Sequence, residues 1–352
     1  MRVGAAALLL VATLAGCDGG GSGHARTLPP GSVSLPRLPE QGLVAPRGDG
    51  VALLGLDGRI LRRLPRFAFY PSGNTTHDDV MHGLDWGGPL EQPRLVTASD
   101  RYYRLDASRH ALIPVPSPRM PLAAAAELVA HSRADAGEVV FRGLSVVRGG
   151  HVLMRRVLYA TVVAGVFVQS RRRLLDVRTG TWWALPPRCI GAGVRGHVAY
   201  AFCATGPPYH YKGGGVEPYP YTWLERVTHD GRARKVAEFS RDGPFARITA
   251  ALSPDGRFVT DQGEPTCGGG YLYVGGTDGS PAARLVSGDV RTGSRPNSTF
   301  VGWAADGRVV AHIQWGDDCE HPRKEGVYLV DPHTLKRSYV TRSAWAMWNA
   351  FP

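Results

Sequence analysis

Apolar and polar positions alternate along most of this chain in short runs broken by turn residues. The densest stretch is Ile248 to Ser287. Ile248, Ala250 and Leu252 alternate with smaller or polar residues up to Ser253-Pro254-Asp255-Gly256-Arg257, and Phe258 and Val259 open a second strand. Tyr271 and Tyr273 then alternate with Leu272 and Val274, and Thr277-Asp278-Gly279 turns the chain into Ala282 to Val286. A period of two is the spacing of a strand, and Asp-Gly between two such runs is a strong hairpin signal. The stretch therefore predicts two hairpins, or one four-stranded unit in about forty residues.

Related hairpins recur. From Val44 onward they are predicted at Val51–Leu54 with Ile60–Leu64, Tyr102–Leu105 with Ala111–Val115, and Leu174–Val177 with Trp182–Leu185. Two more follow at Trp223–Val227 with Ala233–Phe239 and Gly326–Val330 with Leu335–Val340. Taking the turns at 57, 107, 179, 230, 278 and 333, the spacings are 50, 72, 51, 48 and 55 residues. Strand pairs at Val194–Cys203, Ile248–Asp261 and Phe300–His312 fall between them. Repeated four-stranded units of this length point to an all-β fold, a β-propeller of six blades. The 72-residue interval holds either a short helical insertion at Pro121–Ala136 or a seventh blade. Val152–Val168 is apolar but broken by Arg155, Arg156 and Gly165, and reads as two buried strands. Trp345, Met347, Trp348 and Phe351 make an apolar end, expected to close the ring against Val44–Leu54.

The first residues follow a different pattern. Met1-Arg2 is followed by an apolar run, Val3–Leu14, too short to span a bilayer and suited to a signal sequence. Leu14-Ala15-Gly16-Cys17 comes next and resembles the lipobox of bacterial lipoproteins. That resemblance implies cleavage before Cys17, acylation of its thiol, and a place on the outer face of the cell membrane; Asp18 implies the cytoplasmic one. The organisation expected is a signal peptide at 1–16, a lipid-anchored Gly/Pro-rich tether at 17–43 and the propeller at 44–352.

Composition sharpens the address. Lys and Arg number 41 against 30 Asp and Glu, a net charge of +11 that attracts anionic surfaces such as lipid head groups and acidic wall polymers. All but four of these cations are Arg, a bias that also suggests a genome rich in G and C. Nucleic acid is not an expected partner outside the cytoplasm. Beyond Cys17, Cys189, Cys203, Cys267 and Cys319 make an even set, which favours disulfides in an exported chain. Three pairings exist. Cys189–Cys203 with Cys267–Cys319 is preferred, the first closing a local hairpin and the second tying neighbouring units.

Candidate chemistry is sparse. His77, Asp79 and His82, with Asp78 and Asp85, form a weak metal-ligand cluster that reads first as a surface loop, and Gly316–His321 is an acidic loop without calcium-loop spacing. The richest aromatic stretch runs from Pro207 to Trp223; Tyr209, Tyr211, Tyr219, Tyr221 and Trp223 suit a protein partner or a sugar, or pack on one another. No nucleophile elbow, zinc-hydrolase motif or phosphate-binding loop occurs, and no cofactor is expected.

Ser253-Pro254-Asp255-Gly256-Arg257, its copy Ala304-Ala305-Asp306-Gly307-Arg308, the run Tyr328–Thr334 and the shorter Leu175–Gly180 resemble TolB-like and WD40-like propeller lipoproteins. The resemblance spans most of 44–345 and implies the fold; propellers host many functions. The reading is thus a monomeric, lipid-anchored propeller that binds a protein partner or an envelope glycan without catalysis. The alternative is a lyase or glycosidase acting on wall polysaccharide in the central channel.

Overall fold

The computed structural model describes residues 28–70, 93–115, 139–142, 145–148, 151–155, 161–163, 167–170, 172–176, 179–204, 221–238, 251–262, 272–286, 296–315, 324–344 and 346–349. Every regular element among them is a strand. β1 (Val33–Ser34), β2 (Gln41–Arg47), β3 (Gly50–Leu54) and β4 (Ile60–Pro65) open the chain, followed by β5 (Phe67–Tyr70), β6 (Arg94–Thr97), β7 (Tyr102–Asp106) and β8 (Ala111–Val115). β9 (Val139–Arg142), β10 (Ser145–Arg148) and β11 (His151–Arg155) come next, then β12 (Thr161–Val163), β13 (Phe167–Ser170), β14 (Arg173–Asp176) and β15 (Trp182–Ala184). β16 (Cys189–Arg195), β17 (Val198–Ala204), β18 (Tyr221–Thr228) and β19 (Ala233–Glu238) precede β20 (Ala251–Leu252), β21 (Phe258–Gln262), β22 (Leu272–Gly276) and β23 (Ala283–Arg284). The last are β24 (Asn297–Trp303), β25 (Val309–Trp315), β26 (Lys324–Val330), β27 (Arg337–Thr341) and β28 (Ala346–Asn349).

These strands form seven antiparallel sheets. Sheet 1 is β28-β2-β3-β4 and sheet 2 is β5-β6-β7-β8 with β1 added at its edge. Sheet 3 is β9–β11, sheet 4 β12–β15, sheet 5 β16–β19, sheet 6 β20–β23 and sheet 7 β24–β27. Each is a meander, as short turns require. Six hairpin units are expected from the sequence, and all six occur; sheet 3 is additional and lies inside the 72-residue interval.

Five neighbouring pairs of sheets stack face to face among the described residues, and the pleat explains how. In β3, Val51 and Leu53 join the core between sheets 1 and 2, while Ala52 and Leu54 join the core between sheets 7 and 1. Successive side chains point to opposite faces, so a strand covered on both sides must be apolar throughout. Comparable cores fill the gaps between sheets 6 and 7, 4 and 5, and 5 and 6. The first strands of neighbouring sheets touch: β12 with β16, β16 with β20, and β24 with β28. Sheets packed in chain order, with first strands together, are the arrangement of a β-propeller.

The C-terminal strand closes the array. β28 pairs with β2 in the register Gln41↔Asn349 to Val44↔Ala346, as the apolar C-terminal residues predict. Trp348 is fully buried, and its indole N–H donates to the Pro39 carbonyl at 3.2 Å.

Two segments differ from expectation. The stretch read as tether is folded from Leu28: β1 pairs on β8, and Leu35 and Leu38 fill the outer gap between sheets 1 and 2. Its prolines hide two leucines with a burial site of their own. Val152–Val168 holds parts of three strands, β11, β12 and β13, rather than two buried ones. Val152 is 43% exposed because β11 is the edge of its sheet.

The turns repeat one chemistry. In five of them a glycine at φ 68–98° follows an aspartate: Gly58, Gly231, Gly256, Gly279 and Gly307. The preceding aspartate accepts through Oδ1 from the amide two residues on, at Arg59, Arg232, Arg257, Ser280 and Arg308. Glycine is needed for the left-handed backbone, and at Gly256 a Cβ would also overlap the Arg195 side chain.

Candidate functional site

A meander sends its first and third turns to one end and its second turn to the other. The Asp-Gly turns belong to the first class and gather on one rim. Arg195, in the first turn of sheet 5, donates to the Gly256 carbonyl in the first turn of sheet 6 at 3.4 Å. Thr277, in the third turn of sheet 6, donates to the same carbonyl at 2.8 Å. Phe258 beside that turn meets His333 of the third turn of sheet 7, ring to ring at 4.5 Å.

The opposite rim receives the connections 205–220 between β17 and β18, 263–271 between β21 and β22, and 316–323 between β25 and β26, while 71–93 between β5 and β6 leaves from the Asp-Gly rim. Long connections on a rigid frame are where binding residues concentrate. Cys189 and Cys203 sit on this rim as directly opposed residues of β16 and β17 and are joined in a disulfide, the local pairing preferred from sequence. They hold the base from which the 205–220 connection leaves.

Trp223, at the start of β18, is half-buried on this rim. Its indole N–H donates to Glu225 Oε1 at 2.7 Å, and the Lys235 ammonium lies 5.7 Å from its ring. Lys235 is itself ion-paired with Glu238. Sheet 7 carries a related group that sequence reasoning missed. Trp315 ends β25 with Lys324 at 5.3 Å and Arg337 at 5.1 Å over its ring, and with Tyr328 edge-on at 5.7 Å. The available signal was a Trp and a Lys at the two ends of one connection. Beside it the Glu325 carboxylate accepts from Arg342 Nε at 2.9 Å and lies 3.7 Å from His312 Nε2. Burial holds the His312 imidazole below its usual pKa, against the opposing pull of Glu325.

Of the residues singled out from sequence, Cys17, His77, Asp79, His82, Tyr209, Tyr211, Tyr219, Cys267 and Cys319 lie outside the described residues, as do the acidic loop at 316–321 and the insertion at 121–136. Tyr221 is placed in β18. Among the described residues one trio has the proximity of metal ligands, Cys189, Cys203 and Glu225. Its sulfurs are bonded to each other, which removes the thiolates a metal would need. The described first strands carry Arg142 and Arg195 as their charged residues. A buried cluster in sheet 2 sets Arg104 at 2.9 Å and Arg109 at 3.7 Å from Asp106. Burial would raise Asp106, but Arg104, the Ser108 hydroxyl and the Arg109 amide outweigh it and hold the carboxyl below its usual range.

No protein-family model and no curated protein matches the chain. Solved structures similar to it include a prolyl endopeptidase, at 14% identity over 75% of this chain and 37% of that one, with a TM-score of 0.38. TolB from Agrobacterium tumefaciens is similar at 13% identity over 86% of this chain and 91% of that one, TM-score 0.34. TolB from Acinetobacter baumannii is similar at 12% identity over 73% and 68%, TM-score 0.32. The chain thus spans well under half of the endopeptidase.

Proposed function

We propose that the chain is a seven-bladed β-propeller, acylated at Cys17 and held at the outer face of the cytoplasmic membrane, that binds a protein partner through the rim opposite the Asp-Gly turns. The blade count is supported by seven sheets, five shared cores and the pairing of β28 with β2. The sequence Leu14-Ala15-Gly16-Cys17 supports the anchor.

The observation that carries the binding reading is the pair of cation-capped tryptophans on that rim, Trp223 with Lys235 and Trp315 with Lys324 and Arg337. Trp and Arg are among the residue types enriched at protein contacts.

The test is site-specific photocrosslinking in intact cells. A photoreactive residue is placed at Lys235 or Lys324 on the proposed rim, or at Arg257 or Arg308 on the Asp-Gly rim. A discrete protein adduct from the first two positions alone is expected. Equal adducts from both rims, or none, would sink the reading; a ladder of glycan-linked species would move it to an envelope polymer.

A further inference from the structure

Outer strands are edges, and two of them stand apart in charge. Residues 59–66, which contain β4, read Arg-Ile-Leu-Arg-Arg-Leu-Pro-Arg, and 336–342, which contain β27, read Lys-Arg-Ser-Tyr-Val-Thr-Arg. Together they hold seven cations and no carboxylate. The equivalent stretch of sheet 5, 232–238, mixes Arg232, Arg234 and Lys235 with Glu238. Arg59, Arg62, Arg63, Arg66, Lys336 and Arg337 are exposed and make no ion pair among the described residues; Arg342 pairs with Glu325.

The two strands adjoin. Gly58, just before β4, sits so close to the Val340 carbonyl of β27 that a Cβ would overlap it, and Arg47 Nη2 donates to Thr341 Oγ1 at 2.6 Å. The same two segments expose large apolar side chains: Ile60 at 40% and Tyr339 at 60%, with Leu335 at 36% just before β27. These are three of the five large hydrophobics that the described residues expose. Cations interleaved with exposed aliphatic and aromatic groups match a bilayer's anionic head groups and the glycerol layer beneath them.

We propose that the joined outer edges of sheets 1 and 7 form a docking surface for anionic phospholipid. The geometry rests on the reading of Cys17 as the anchor. The described chain begins at Leu28 and runs along β8 at the outer edge of sheet 2, next to sheet 1. Ten residues, eleven steps of chain, separate Cys17 from Leu28, a reach of at most about 40 Å. Acyl chains held that near would raise the local concentration of the basic edge at the head groups. An acyl anchor and a basic patch acting together are a sufficient pair of signals. The propeller then stands on its side, and neither rim faces the bilayer.

The test uses a chain beginning at Asp18, which contains every described residue, sedimented with vesicles of phosphatidylcholine alone or with about one-third phosphatidylglycerol. Binding is expected only with the anionic lipid and is expected to weaken with salt. Arg62→Glu, Arg63→Glu and Lys336→Glu together should lower affinity ~10-fold or more. Arg226→Glu, Arg232→Glu and Arg234→Glu on sheet 5 change net charge equally and should leave most of the binding. Equal loss in the two triple variants, or equal binding to neutral vesicles, would overturn the proposal. So would a soluble glycerol-phosphate polymer that strips the chain from vesicles at equal phosphate. Acylation is read separately from the mass of the mature N-terminus, so failure of the anchor and failure of the edge remain distinct.

Discussion

His312 shows what one half-buried side chain does to the whole. It lies on β25 with Glu325 at 3.7 Å, and Arg342 competes for the same carboxylate. Burial lowers its pKa from the ordinary 6.5 more than Glu325 raises it. The folded state therefore takes up this proton at lower pH than the unfolded state. Stability contributed by a neutral His312 is complete above pH 6.5 and declines as pH falls from there toward the depressed folded value. The turn aspartates act in a lower window. The Thr228 hydroxyl and Arg232 amide hold Asp230 below 3.8, Ser280 does so for Asp278, and Arg308 for Asp306. A lowered carboxyl stabilises above its unfolded pKa, and that contribution is lost as pH falls below 3.8. Denaturant titrations across this range should thus show two descents for the parent chain. His312→Gln should flatten the upper one and leave the lower; an unchanged upper slope would show that another group titrates there.

At the level of elements, the disulfide joins the first two strands of sheet 5 across a separation of 14 residues. A loop of that size restricts the unfolded chain by about 3 kcal/mol. Cys189→Ser with Cys203→Ser should lose stability of that order, and reductant should lower the unfolding midpoint of the parent more than that of the variant, which keeps Cys267 and Cys319. A parent indifferent to reductant would show the bond absent in solution. The outer hairpins turning at 57, 230 and 278 were legible in the sequence because Asp-Gly turns have a local cause, the glycine backbone and the aspartate cap. Sheet 3 was harder to place. Its unit has no Asp-Gly turn, and the neighbouring apolar stretch, Val152–Val168, carries parts of β11, β12 and β13 rather than of two strands. The Ala52–Leu54 type of run was legible as strand but not as a strand covered on both faces. Leu35 and Leu38 were hidden by flanking prolines. Trp223 was legible as part of an aromatic stretch. Trp315 was not, because its cations come from β26 and β27, 9 and 22 residues further along.

The whole molecule depends on a joint between its two ends. Sheet 1 draws three strands from the beginning of the described chain and one from its end, so neither end completes the sheet alone. The joint is centred on Trp348, which is 0% exposed, belongs to the core between sheets 1 and 2 and bonds the Pro39 carbonyl. The neighbouring strand makes room for it with Gly42, where a Cβ would overlap the indole ring. Removing such a side chain from a packed core costs about 3–5 kcal/mol, a large part of a domain's usual margin of ~5–15 kcal/mol. Trp348→Ala should therefore lower the denaturation midpoint more than truncating any exposed aromatic, Tyr339→Ala being the natural comparison at 60% exposure. Gly42→Ala should be costly for the same reason, seen from the partner strand. Amide exchange separates a local from a global effect. If β28 closes the ring, loss of Trp348 should speed exchange in β2, β3 and β24, which touch it directly or through one strand, before it reaches β16–β19 on sheet 5. Uniform acceleration in all sheets would mean that the ring opens as a single unit. Unchanged exchange at β2 would mean that β28 is dispensable for closure.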